Sequence, residues 1–137
     1  MDYALTPFLA WLLAGFLKFC VNSARAKKFA FSQIGYGGLP SNHSAIVSST
    51  AALIAFKNGI DSPAFGVAVT LAFIVMLDAA SLRRHIEKHA RRLNELSSDK
   101  KLLRERLGHR PHEIFAGVLV GIFTAFLVFS TVNGKFF

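Results

Sequence analysis

The sequence predicts an all-α integral membrane protein with about four transmembrane helices and an amphipathic interfacial helix. Three observations lead there. Of the 137 residues, 53% are hydrophobic, 14 of them Phe. The apolar residues gather in four runs. The 16 Lys+Arg, set against 8 Asp+Glu, are concentrated in two of the segments between those runs. The length suits a single domain, residues 1–137, and a soluble domain of this size seldom combines such apolar content with such segregated charge.

Residues 4–21 carry one charge, Lys18, near their end. A bilayer core takes roughly 17 to 25 apolar residues as helix, so this run qualifies, as do 63–82 and 114–132. The start of the chain lacks the basic residues of a secretory signal, and no small-residue cleavage site follows the apolar run, so the first segment reads as a retained helix. The second run reaches spanning length only over 41–58. Its Ser48, Ser49, Thr50, Ala51 and Ala52 suit close packing against other helices, which places it at the centre. Cys20 is the single cysteine, so neither a disulfide framework nor a thiolate cluster is available. Four spans give a small core and make a homodimer plausible, though nothing in the sequence requires one.

The connections differ sharply in charge. The first holds Arg25, Lys27 and Lys28, and the third, a basic insertion over 83–110, holds ten more of the 16 basic residues. With four helices these two connections share one side. The positive-inside rule makes that side cytoplasmic, in a cell inner membrane, with both termini outside. Within the insertion Leu82, Ile86, Ala90, Leu93 and Leu96 recur at helical spacing, predicting an amphipathic helix that continues from the third span and lies at the interface. Ser97 to Lys100 break it, and Leu102, Leu103 and Leu107 suggest a second short helical piece before Gly108.

Polar chemistry collects on this basic side. Ser41 to Ser44 precede an apolar helix, whose first N–H groups point outward and favour an anion. Ser41 is equally well explained as an N-cap, worth about 1 kcal/mol. His43 adds a titratable imidazole able to protonate a departing oxygen. Downstream, His109 and Glu113 stand four residues apart where the last span begins, with Pro111 in its first turn. Such a carboxylate can hold one imidazole nitrogen and leave the other as a nucleophile, although an ordinary helix-start pair has the same spacing. Asp78 sits in an apolar helix, where an unpaired carboxylate costs about 2.5 to 3.5 kcal/mol at the bilayer centre. Its partner is therefore Arg83, Arg84 or Lys28. His85 and His89 have a spacing that permits two metal ligands, but their cationic surroundings disfavour a divalent ion, and no metal site is expected.

The stretches GGLPSNHSA, NGIDSPAFGVAV, MLDAASLRR, LNEL and LGHRPHEIFAG together resemble the divergent branch of the phosphatidic acid phosphatase type 2 and vanadium haloperoxidase superfamily, over nearly the whole chain. The resemblance implies that His109 attacks phosphorus to form a phosphohistidine, Glu113 orients it, and His43 protonates the leaving group. It also implies that Ser41 and the backbone at Asn42 contact phosphate. Lys27 or Lys28 stands for the lysine of the first motif, and Arg83 or Arg84 for the arginine of the third. With Arg110 these cations would supply most of the electrostatic stabilisation. Here Asn42 replaces a glycine and Glu113 the usual Asp.

The implied activity is metal-independent hydrolysis, without a cofactor, of a membrane lipid phosphate or prenyl diphosphate whose tail lies among the helices. The alternative is a non-catalytic membrane protein binding anionic lipid head groups or a protein partner through residues 83–110, since each basic residue near an anionic surface gains about 1 kcal/mol. Nucleic acid is not an expected partner. The basic segment is tied to membrane spans and lacks interleaved aromatics.

Overall fold

In the computed structural model, which describes residues 1–27, 38–97, 102–132 and 134, the chain is all α. The helices are α1 (Asp2–Ala26), α2 (Asn42–Asn58), α3 (Pro63–Leu77), α4 (Arg83–Leu96) and α5 (Pro111–Val132). A π-helical turn, Asp78–Leu82, joins α3 to α4, so Pro63–Leu96 is one continuous helix of 34 residues.

Among the described residues, three helices are long and apolar enough to cross a membrane: α1, Pro63–Leu96 and α5. With 17 residues, α2 rises about 25 Å, short of the roughly 30 Å hydrocarbon core. It is enclosed by protein instead. α1, α3 and α5 all pack against it, and Ser44, Ala45, Ser48, Ser49, Ala51 and Leu53 are buried there. The second apolar run thus occupies the centre, as its small residues predict.

Burial is inverted relative to a water-soluble protein. Phe8, Leu12 and Phe16 on α1, Val67, Leu71 and Phe73 on α3, and Phe115, Leu119 and Phe123 on α5 are exposed, while Thr6, Ser44, Ser49 and Thr124 are interior. In hydrocarbon this costs nothing, because lipid tails are as apolar as leucine. The interior hydroxyls are satisfied locally: Thr6 donates to Asp2 O at 2.7 Å, Ser49 to Ile46 O and Thr124 to Val120 O at 2.8 Å. The protein is therefore an integral membrane protein.

Two glycines set the closest helix approach. A Cβ on Gly117 would collide with Ser41 O and lie 2.9 Å from Ser44 Cβ. One on Gly121 would lie 2.5 Å from Ala45 O and 2.9 Å from Ser49 N. This small-xxx-small spacing on α5 lets the backbones of α2 and α5 touch. At the far end of the bundle Lys57 pairs with Asp2, and Tyr3 Oη donates to Asn58 Oδ1, tying α1 to α2.

Three boundaries differ from the sequence expectation. α1 runs on to Ala26, because the end of an apolar run is not the end of a helix; Lys27, in the left-handed region at φ 51°, closes it. α5 starts at Pro111, three residues before its apolar run, since proline's missing N–H costs nothing in a first turn. The short helix expected around Leu102, Leu103 and Leu107 does not form: residues 102–110 are an irregular strap. Asn94 takes over the helix's role there, its amide accepting from Leu103 N at 2.7 Å and donating to Leu103 O at 2.9 Å.

The continuous helix of 34 residues is about 51 Å long, so α4 extends beyond the hydrocarbon. Leu82, Ile86, Leu93 and Leu96 stay exposed while Ala90 is buried. This is the amphipathic extra helix, and it ends where expected, at Leu96.

Candidate active site

The π-helical turn organises the site. Residues five apart on an α-helix sit about 140° apart around its axis, whereas an i→i+5 turn brings them nearly into line. Asp78 and Arg83 are five apart, and Arg83 Nε donates to Asp78 Oδ2 at 2.7 Å. Of the three partners open to Asp78, Arg83 is therefore the one the helix supplies. The Arg83 N–H donates to Asp78 O instead of Ala79 O, leaving the Ala79 carbonyl without its usual α-helical donor. It accepts the backbone N–H of His109 at 3.0 Å.

Two motifs distant in sequence meet at Glu113. Its carbonyl accepts Ser41 N at 2.9 Å, joining the start of α2 to the start of α5, and the absent side chain of Gly117 makes room for this approach. His43 and His109 then face each other, ring centroids 6.4 Å apart and nearly perpendicular at 72°. Arg83 Nη1 lies 3.4 Å from His43 Nε2, so Asp78, Arg83 and His43 form a chain of contacts leading to His109.

His109 is only 5% exposed, yet neither ring nitrogen has a hydrogen-bond partner among the described residues. Burial, reinforced by the nearby Lys18 ammonium and by His43 and Arg83, pushes its pKa down to about 4, against an opposing pull from Glu113. The ring is neutral at physiological pH, and its lone pair is unengaged. Glu113 does not hold it through a hydrogen bond: its Oε2 accepts the Arg110 N–H at 2.9 Å, capping α5.

Beside His109 lies a cavity of about 280 Å³. Arg84, Lys88, Arg91, Arg106 and Arg110 line it, with Glu87 and Glu113 as the acidic members. Arg83 and Arg84 thus divide their work, one reaching His43 and the other the cavity. Gly108 is pressed against Arg84, where a Cβ would come 2.5 Å from Cγ.

The remaining expected residues fall less centrally. Ser41 is fully buried with its Oγ engaged as the α2 N-cap, accepting from Ser44 N at 3.3 Å and Ser44 Oγ at 3.0 Å. Asn42 turns towards Gly15 of α1, its Oδ1 buried and without a partner among the described residues. Lys27 is exposed at the end of α1, and Lys28 lies outside the described residues. The cation that α1 brings within electrostatic reach of His109, His43 and Glu113 is Lys18. Sequence reasoning passed over it as an incidental charge, although a lone ionisable residue within a span is itself a functional signal. Glu87, Lys88, Arg91 and Arg106 were also not singled out for this site; Arg106 lies on a strap whose leucine spacing suggests a helix that does not form.

The structure is that of a helical membrane protein with a histidine pair and clustered cations gathered at one end of the bundle. The chain belongs to the divergent PAP2 family, whose profile it matches over residues 2–124. It is 33% identical over 138 residues to the uncharacterized membrane protein YuiD of Bacillus subtilis, an alignment covering 86% of this chain and 87% of that one. No solved structure matches it.

Proposed function

We propose that the protein is a membrane phosphatase that hydrolyses a lipid phosphate or prenyl diphosphate through a phosphohistidine on His109. The observation that carries this reading is His109 itself, a buried neutral imidazole with no partner on either nitrogen, facing a second histidine. A buried polar group left without a partner costs about 1 to 3 kcal/mol, and a ligand that engages it at work accounts for its retention.

In the first step a ring nitrogen of His109 attacks phosphorus from a near-attack distance of roughly 3 to 3.5 Å. The bond from that phosphorus to the leaving oxygen breaks, releasing the lipid alcohol from a lipid phosphate or prenyl phosphate from a prenyl diphosphate, and His43 gives that oxygen a proton. Arg83, held by Asp78, stabilises negative charge developing beside His43. Arg84 and Arg110 do the same on the cavity side, with Lys18 adding a positive field from α1. In the second step water, activated by the now neutral His43, attacks the phosphohistidine; inorganic phosphate leaves and His109 is regenerated. Ser41 contributes by fixing the start of α2, and Asn42 offers its backbone N–H at that helix start. The charge bias of the connections supports a cytoplasmic position for this face.

Purified protein incubated without added metal with phosphatidate or a prenyl diphosphate should release phosphate, and His109→Ala should reduce release to background. No release from either substrate, or release unchanged in His109→Ala, would overturn the proposal.

A further inference from the structure

We propose that Glu87 is a positioning residue that aims His109, a role that rests on reading His109 as the nucleophile. A ring with no hydrogen bond on either nitrogen is held by packing and by its own backbone alone. That backbone follows Gly108, the residue type with the widest conformational freedom, in an irregular strap. Left to itself, such a segment would let the imidazole swing.

Two neighbouring groups remove that freedom. The same oxygen of Glu87, Oε1, accepts Leu107 N at 2.6 Å and Gly108 N at 2.8 Å. The next amide, His109 N, is held by Ala79 O at 3.0 Å. Three consecutive backbone N–H groups are thus captured from the one continuous helix, two by a side chain of α4 and one by the carbonyl that the π-helical turn releases. Convergence of two amides on a single oxygen fixes the two peptide planes that meet at Leu107, and the bond from His109 N to Ala79 O holds the plane on the far side of Gly108. Bonds to a charged acceptor are also stronger than neutral ones.

The need for a second anchor follows from Glu113. That carboxylate caps Arg110 N instead of holding the ring, so alignment passes to the backbone and to Glu87. Glu87 also lines the cavity beside His109, so a shift of the strap there moves the ring relative to the cationic wall.

The test compares wild type, Glu87→Ala and Glu87→Gln by kinetics and by amide hydrogen exchange over 105–110. In Glu87→Ala, exchange at Leu107 and Gly108 should rise at least about tenfold, as expected for amides losing their acceptor. The kcat should fall by up to about 10²-fold, the scale of a 1 Å misplacement, with KM nearly unchanged. Glu87→Gln keeps an oxygen able to accept both amides and should restore most of the exchange protection and of kcat. Unchanged exchange in Glu87→Ala, a kcat that does not fall, or a Glu87→Gln variant as slow as Glu87→Ala would each overturn the role. If wild type itself turns nothing over, the catalytic reading falls and the role of Glu87 with it; normal turnover with unchanged Glu87→Ala kinetics sinks Glu87 alone.

Discussion

The seam between α2 and α5 and the junction between α4 and the strap both hold chain segments in place around His109, by opposite means. At the seam, side chains are removed. Gly117 and Gly121 let one backbone rest on another, with Ser41 O, Ala45 O and Ser49 N at the points of contact. At the junction, side chains are added. Glu87 and Asn94 reach across to capture backbone groups of an irregular segment, and Arg91 adds an ion pair to Glu105 at 3.8 Å. The seam is buried and runs along the α2 face. The junction is polar and partly exposed, and it rests on a few hydrogen bonds. The first sets the fold, and the second adjusts where the nucleophile stands.

Substitution at the seam should have the larger effect. Gly121→Ala places a methyl against the backbone of α2, and backbone cannot rotate away. Overpacking of this kind costs about 1 to 3 kcal/mol, and the upper end is expected. Gly66 on α3 supplies the control. Nothing lies within 4 Å of a Cβ there, so Gly66→Ala should instead gain about 0.5 to 1 kcal/mol from reduced backbone freedom. Thermal unfolding in detergent measures both, and equal shifts would show that the seam is not close-packed.

At the junction, Asn94→Ala removes both bonds to Leu103 and the one to Glu105 Oε1. At about 1 kcal/mol for a typical net hydrogen bond, and less for exposed ones, a local loss of about 1 to 2 kcal/mol is expected. Global unfolding should hardly move, while proteolysis or hydrogen exchange within 102–107 accelerates. A fall in global stability matching that of Gly121→Ala would show that the strap belongs to the cooperative core.

The same contrast explains what could be read from the sequence. The seam was legible because small residues at helical spacing have one physical use in a bundle, and the apolar runs fixed the other helices by length. His43 and His109 came from motif spacing, and the structure brings them face to face. The junction was not legible, because Leu102, Leu103 and Leu107 have helical spacing and only a side chain on another element, Asn94, decides against a helix. The π-helical turn was equally hidden, since DAASL fits an ordinary helix until the Asp78–Arg83 pair and the His109 amide are seen to require it. Lys18 was visible but undervalued, because its partners lie on other helices.

Lys18 provides the smallest predicted effect and the one that links the two regions, since it acts on the strap's histidine from inside the bundle. Because the pKa of His109 is depressed to about 4, the unfolded chain, with histidine near 6.5, binds more protons between those values. Stability therefore rises with pH across that window and declines as pH falls through it. The same depression keeps the nucleophile unprotonated, so the limb of kcat/KM belonging to His109 should lie near pH 4. Burial is the larger cause and the Lys18 ammonium the next. Lys18→Met removes only the second, so the limb should move part of the way towards 6.5, with a parallel shift of the His109 ring resonance in an NMR titration. A limb and resonance that stay in place would mean that Lys18 has no part in setting the proton affinity of His109, and that α1 touches the chemistry only through packing.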